Sequence, residues 1–118
     1  MLTVDKLKSF GADTKDGIER CMGNEELYLR LASAVPDQDE FDKLYKSASS
    51  GDLAAAFEAA HALKGVLGNL SLTPLYIKMC EITELLRKGE DIDYTPLLSD
   101  IGELHTRLKE LGMEDAPQ

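Results

Sequence analysis

His61 and Lys64 stand three residues apart, followed at once by Gly65 and then by Gly68, in the run His61-Ala62-Leu63-Lys64-Gly65-Val66-Leu67-Gly68-Asn69-Leu70. A neutral imidazole near pH 7 has a lone pair able to attack an acyl phosphate, which makes His61 the candidate nucleophile. Lys64 lies one helical turn further on. Its ammonium can reach phosphoryl oxygens as a point charge, stabilising both a phosphorylated product and the charge spread over a transferring group. Gly65 removes the side chain that would stand where a phosphate and a partner's active site must approach, and Gly68 extends the cleared strip. Each glycine costs a helix about 1 kcal/mol relative to Ala. On a stripe away from the core, neither is expected to gain packing in return. Phe57, one turn before His61, is placed as an aromatic anchor for a partner surface, or alternatively as the margin of the core seam.

These positions form one stripe only if the segment is a helix. Leu53, Ala56, Ala60, Leu63, Leu67 and Leu70 repeat at steps of three and four and make an apolar seam. At ~100° per residue, the stripe Phe57, His61, Lys64, Gly65, Gly68 is displaced from that seam by roughly 115°, which puts the imidazole at the open flank. The same periodicity continues along the chain, with Gly, Pro, Asn and Asp between the apolar runs, and no strand-like alternation persists. The expected helices are 4–10 ending at Gly11, 14–22 ending at Gly23, 25–34 capped by Asn24 and stopped by Pro36, and 38–49 before Ser50-Gly51-Asp52. The helix of the site follows at 53–70. After it comes a helix with Thr73 as cap, Pro74 at its first position and Leu72 stapled to Ile77, running to Lys88. The last is capped by Asp93, with Ile92 stapled to Leu97, and runs to Gly112. Short polar turns between the longer helices imply an all-α fold, an antiparallel up-down four-helix bundle with short additional N-terminal helices.

The 118 residues suit one domain: a bundle core over about 24–112, short N-terminal helices in 3–22 and a frayed tail at 113–118. With 43% hydrophobic residues and 30% charged, the composition is that of a folded protein, and no apolar run approaches a membrane span. No secretory signal is visible at the amino terminus, so a cytoplasmic location is expected. A net charge of −9 would repel nucleic acid and anionic lipid. Cys21 and Cys80 have no metal-ligand spacing and read as reduced structural thiols. Glu58-x-x-His61 has the spacing of di-iron carboxylate bundles, but the residue three before His105 is Gly102, so the required second pair is missing and no metal site is expected. His105 has no chemical context and reads as an ordinary solvated histidine. There is no glycine-rich phosphate loop or Mg²⁺-ligand constellation for ATP, which argues against a kinase.

The His61–Leu70 run resembles the HxLKG signature of histidine-containing phosphotransfer (HPt) domains of bacterial two-component phosphorelays. The similarity extends to Asn24–Leu31 (NEELYLRL) and to Ser71-Leu72-Thr73-Pro74-Leu75, and so covers most of the chain. Two departures stand out: Ser71 occupies a position where glycine is common, and Leu67 one where a smaller residue is frequent. Both bear on the packing behind the site. The resemblance implies a phosphorelay intermediate whose His61 accepts a phosphoryl group and Lys64 stabilises it, with Phe57, Gly65, Gly68 and Asn69 in the docking surface. It implies no intrinsic cofactor and no autonomous kinase activity. Receiver domains, and a hybrid histidine kinase, are the implied partners, the receiver bringing the phosphoaspartate and the Mg²⁺. The off-core stripe suits a monomer that docks transiently, and the lack of linker-like tails favours a free-standing protein. The alternative is an HPt-like adaptor that binds a receiver or kinase without phosphotransfer.

Overall fold

The computed structural model describes residues 1–114, and these form seven α-helices: α1 Val4–Phe10, α2 Thr14–Arg20, α3 Glu25–Ala34, α4 Asp39–Ser50, α5 Leu53–Asn69, α6 Thr73–Arg87 and α7 Thr95–Met113. A 3₁₀ turn, Val35–Asp37, continues from α3, so Pro36 tightens the chain into another turn where the sequence suggested a stop. Residues 115–118, most of the expected frayed tail, lie outside the described residues, and Met113 is still helical.

Helix starts follow the side-chain caps. Thr3, Asp13, Asn24 and Asp52 each accept a hydrogen bond from the backbone N–H three residues on, satisfying a donor that the first turn leaves free. Two later starts differ from expectation. Thr73 is already inside α6, its hydroxyl donating back to the Ser71 carbonyl, and Leu72 is the cap residue. Leu72 is fully buried while Ile77 is 57% exposed. At α7 the cap is Tyr94, drawn into place by burial of its ring and by its hydroxyl donating to the Glu90 carbonyl at 2.9 Å. Asp93 makes an Asx-type bond to Thr95 N instead, and Ile92 is 48% exposed. Helix α2 ends at Arg20 because Met22 (φ +59°) and Gly23 (φ +75°) both turn left-handed.

The antiparallel bundle is α4 to α7. Ala56, Ala59 and Ala60 are buried along α5 together with Leu63 and Leu67, and these small residues let α4 and α6 pack closely on its two flanks. Leu67, the bulky departure, is fully buried and fills core volume. His105 closes the ring from α7 to α4, contrary to its expected solvated state. Its imidazole stacks on Phe41 with centroids 3.8 Å apart and planes 13° apart. The Pro36 carbonyl lies 2.8 Å from Nε2 and can only accept, so Nε2 carries the proton; Nδ1 then takes the Tyr45 hydroxyl, also at 2.8 Å.

Helices α1 to α3 lie alongside this bundle. Gly17 of α2 is buried, and a Cβ there would overlap the Tyr28 ring and stand 2.8 Å from the Leu70 carbonyl. Tyr28 is wholly buried; its hydroxyl has no partner among the described residues, and burial pushes the phenol up to about 12. The backbone N–H of Asp13 donates to the Ser71 carbonyl at 3.0 Å, so α2 is seated on the turn between α5 and α6.

Replacing Gly17 by Ala should lower stability by about 2 kcal/mol or more, because neither an aromatic ring in the core nor a backbone carbonyl can retreat cheaply. Urea unfolding followed by circular dichroism measures this, and an unchanged midpoint would show that α2 is not seated as described.

Candidate functional site

Seventeen residues of α5, started by Asp52 and carrying the alanine-rich seam inward, leave one stripe of the helix facing outward. His61, Gly65 and Asn69 on that side are exposed, and Lys64 and Gly68 are half-buried. All five line one open cleft of about 490 Å³. Phe57 does not line it. The ring is half-buried against the core and stacks on His61 at 5.7 Å with a 16° tilt, an offset geometry that holds the imidazole upright. Of the two sequence readings of Phe57, anchor for a partner or margin of the core seam, the half-buried ring packs as the second and also supports the histidine. Among the described residues neither nitrogen of His61 has a hydrogen-bond partner.

The Lys64 ammonium has no ion pair within 4 Å among the described residues. Glu84, across on α6, feels its charge but is occupied by Arg87, whose hydrogen bond is the main reason its carboxyl is held below the usual range. The ammonium is thus left for another anion. Nothing lies within 4 Å of where a Gly65 Cβ would be, so the space beside His61 and Lys64 is open. Gly68 behaves differently from expectation: a Cβ there would stand 3.0 Å from the Tyr76 ring, so this glycine does gain packing. It admits the aromatic wall that α6 raises along the cleft.

Sequence reasoning missed the opposite wall. Asp13, the cap of α2, and Asp16 and Arg20 within it reach the cleft, joined by Ser71, Thr73 and Tyr76. Ser71 adopts φ +52°, the left-handed region that suits glycine, so the serine keeps the turn that a glycine takes there with less strain. Its hydroxyl donates to Asp16 Oδ2, and Arg20 Nε donates to the same oxygen at 2.8 Å. The Ser71 bond first, and Arg20 second, hold the Asp16 carboxyl below its usual value. The only signals in sequence were the i,i+4 spacing of Asp16 and Arg20 and the serine itself; neither says that α2 folds back over α5.

Comparison with known proteins adds to this geometry. The Hpt domain family matches residues 24–113. Phosphotransferase RcsD of Escherichia coli (strain K12) is 37% identical over 65 residues, a stretch covering 55% of this chain and 7% of that protein. No solved structure matches.

Gly65→Ala should raise stability by about 0.5–1 kcal/mol, since it adds helix propensity where nothing is in the way, whereas Gly68→Ala, pressing on Tyr76, should gain less or lose. Parallel urea titrations decide; equal gains would remove the distinction between the two glycines. The Asp16 bonds persist above the ordinary carboxylate range and are lost as the pH falls through the depressed value. In Ser71→Gly, carboxyl NMR should show Asp16 titrating at higher pH than in the parent; an unmoved midpoint would mean that the hydroxyl bond is not formed in solution.

Proposed function

The chain belongs to the Hpt domain family, and from that premise we propose that it is a single-domain phosphorelay intermediate that accepts a phosphoryl group on His61 from a receiver aspartate and passes it to another receiver. The observation that carries this is the pairing of an imidazole whose nitrogens have no partner among the described residues with an ammonium left unpaired one turn away, over the open surface at Gly65. HPt domains are phosphocarrier modules rather than autonomous kinases, and the name of RcsD, a phosphotransferase, is in keeping with such a role. The chain spans 7% of that relative's length.

In the proposed step a receiver docks on the surface around Gly65, Gly68 and Asn69, with Phe57 holding the His61 ring. The lone-pair nitrogen attacks phosphorus in line; the bond from phosphorus to the aspartyl oxygen breaks and its electron pair returns to the carboxylate. The second ring nitrogen keeps its proton through the step. Lys64 faces the equatorial oxygens and offsets their charge in the transition state and on phosphohistidine. Mg²⁺ belongs to the receiver's side of the complex. Onward transfer is the same step in reverse with a different aspartate. The protein acts as a monomer in the cytoplasm, where its −9 charge disfavours nucleic acid as a competing partner.

Label transfer from an aspartate-phosphorylated receiver with Mg²⁺ tests this. Acid-labile, base-stable label should appear on the wild type, vanish in His61→Gln and form about tenfold or more slowly in Lys64→Ala. Absence of label with several receivers that nevertheless bind would overturn the carrier role in favour of an adaptor.

A further inference from the structure

The cleft carries a second cation at the end away from His61, and we propose that Arg20 is a docking residue that binds a carboxylate on the surface of the incoming receiver domain, an inference that rests on the phosphorelay reading above. The guanidinium is held by its inner edge. Nε donates to Asp16, whose accepting oxygen is also bonded by the Ser71 hydroxyl, while the two terminal nitrogens make no hydrogen bond among the described residues. A planar fork with its outer donors unused matches a carboxylate in bidentate fashion, which an ammonium cannot do. The mount beneath it is firm: Asp13 N is bonded to Ser71 O, and buried Gly17 brings α2 against the Leu70 carbonyl.

Distance along α5 separates Arg20 from the phosphoryl chemistry. Arg20 is tied through Asp16 to Ser71, just beyond the end of α5, and Gly68 on that last turn is already seven residues past His61, which is about 10 Å of helix rise. Side chains tilt toward the amino end of their helix, and the His61 ring leans onto Phe57, away from Gly68. The fork therefore meets the body of the partner and leaves the transferring group to Lys64. On a chain of net charge −9, a guanidinium at the cleft edge whose outer donors stay unused beyond its bond to Asp16 gives an acidic contact a favoured place to land, and so fixes the orientation of a domain that must bring its aspartate to His61.

Two phosphodonors separate docking from chemistry: the aspartate-phosphorylated receiver, and phosphoramidate, which has no surface to dock. In Arg20→Gln the KM for the receiver should rise about tenfold, and in Arg20→Glu further, with the maximal rate and phosphoramidate labelling of His61 within about twofold of wild type. Arg20→Lys, which keeps the charge but loses the fork, should recover part of the KM. A receiver variant with one surface carboxylate changed to Lys should restore Arg20→Glu. An unchanged receiver KM in variants that label normally overturns this inference alone, as does equal slowing with both donors, which would place Arg20 at the phosphohistidine or in the fold. A wild type labelled by neither donor overturns the phosphorelay reading and this inference with it.

Discussion

The close seating of α5 between α4 and α6 is the constraint from which the rest of the molecule follows. Ala56, Ala59 and Ala60 supply no bulk, so neighbouring backbones approach from two sides, and Leu63 and Leu67 fill the interior beneath. A helix packed on both flanks has one stripe left for solvent. That stripe cannot rotate away without exposing the seam, so the direction in which His61 points is determined by core packing far more than by anything local to the imidazole. The glycines of the stripe then act on a fixed platform, Gly65 by leaving open space and Gly68 by admitting Tyr76.

A second constraint sets the polar wall. Ser71 holds a left-handed conformation at the end of α5, and in that conformation its carbonyl and its hydroxyl both turn toward α2. One residue thereby anchors the start of α2 through the backbone and its carboxylate through the side chain. A glycine would adopt the same turn with less strain but would lack the hydroxyl. The serine trades conformational ease for an extra tether, and Arg20 is aimed by the outcome.

The bundle and the stripe were legible in the sequence because both are periodic: the seam at threes and fours placed α5 within a residue of its observed ends, and the offset of His61 from that seam followed from helix geometry alone. What was not legible depended on contacts between distant segments. Nothing near Asp16 or Arg20 indicates that α2 folds over the α5–α6 turn. His105 looked ordinary because its partners Phe41, Tyr45 and Pro36 lie about sixty to seventy positions away. Phe57 was ambiguous at the edge of the seam, and the structure resolves it as partly core. The caps of α6 and α7 shifted by one residue because burying Leu72 and Tyr94 outweighed the preference for a polar cap.

The two histidines of the chain differ in what their lone pairs face. That of His105 is engaged by the Tyr45 hydroxyl while its N–H is engaged by the Pro36 carbonyl, beneath a stacked phenyl ring; the His61 ring stands at the mouth of an open cleft. Bundle closure thus acts as a protecting group in the synthetic chemist's sense. It masks one imidazole against electrophiles for as long as the protein is folded, whereas His61 is open whether the chain is folded or not, so modification at His105 would be a chemical report of lost tertiary structure and His61 the internal standard against which it is read.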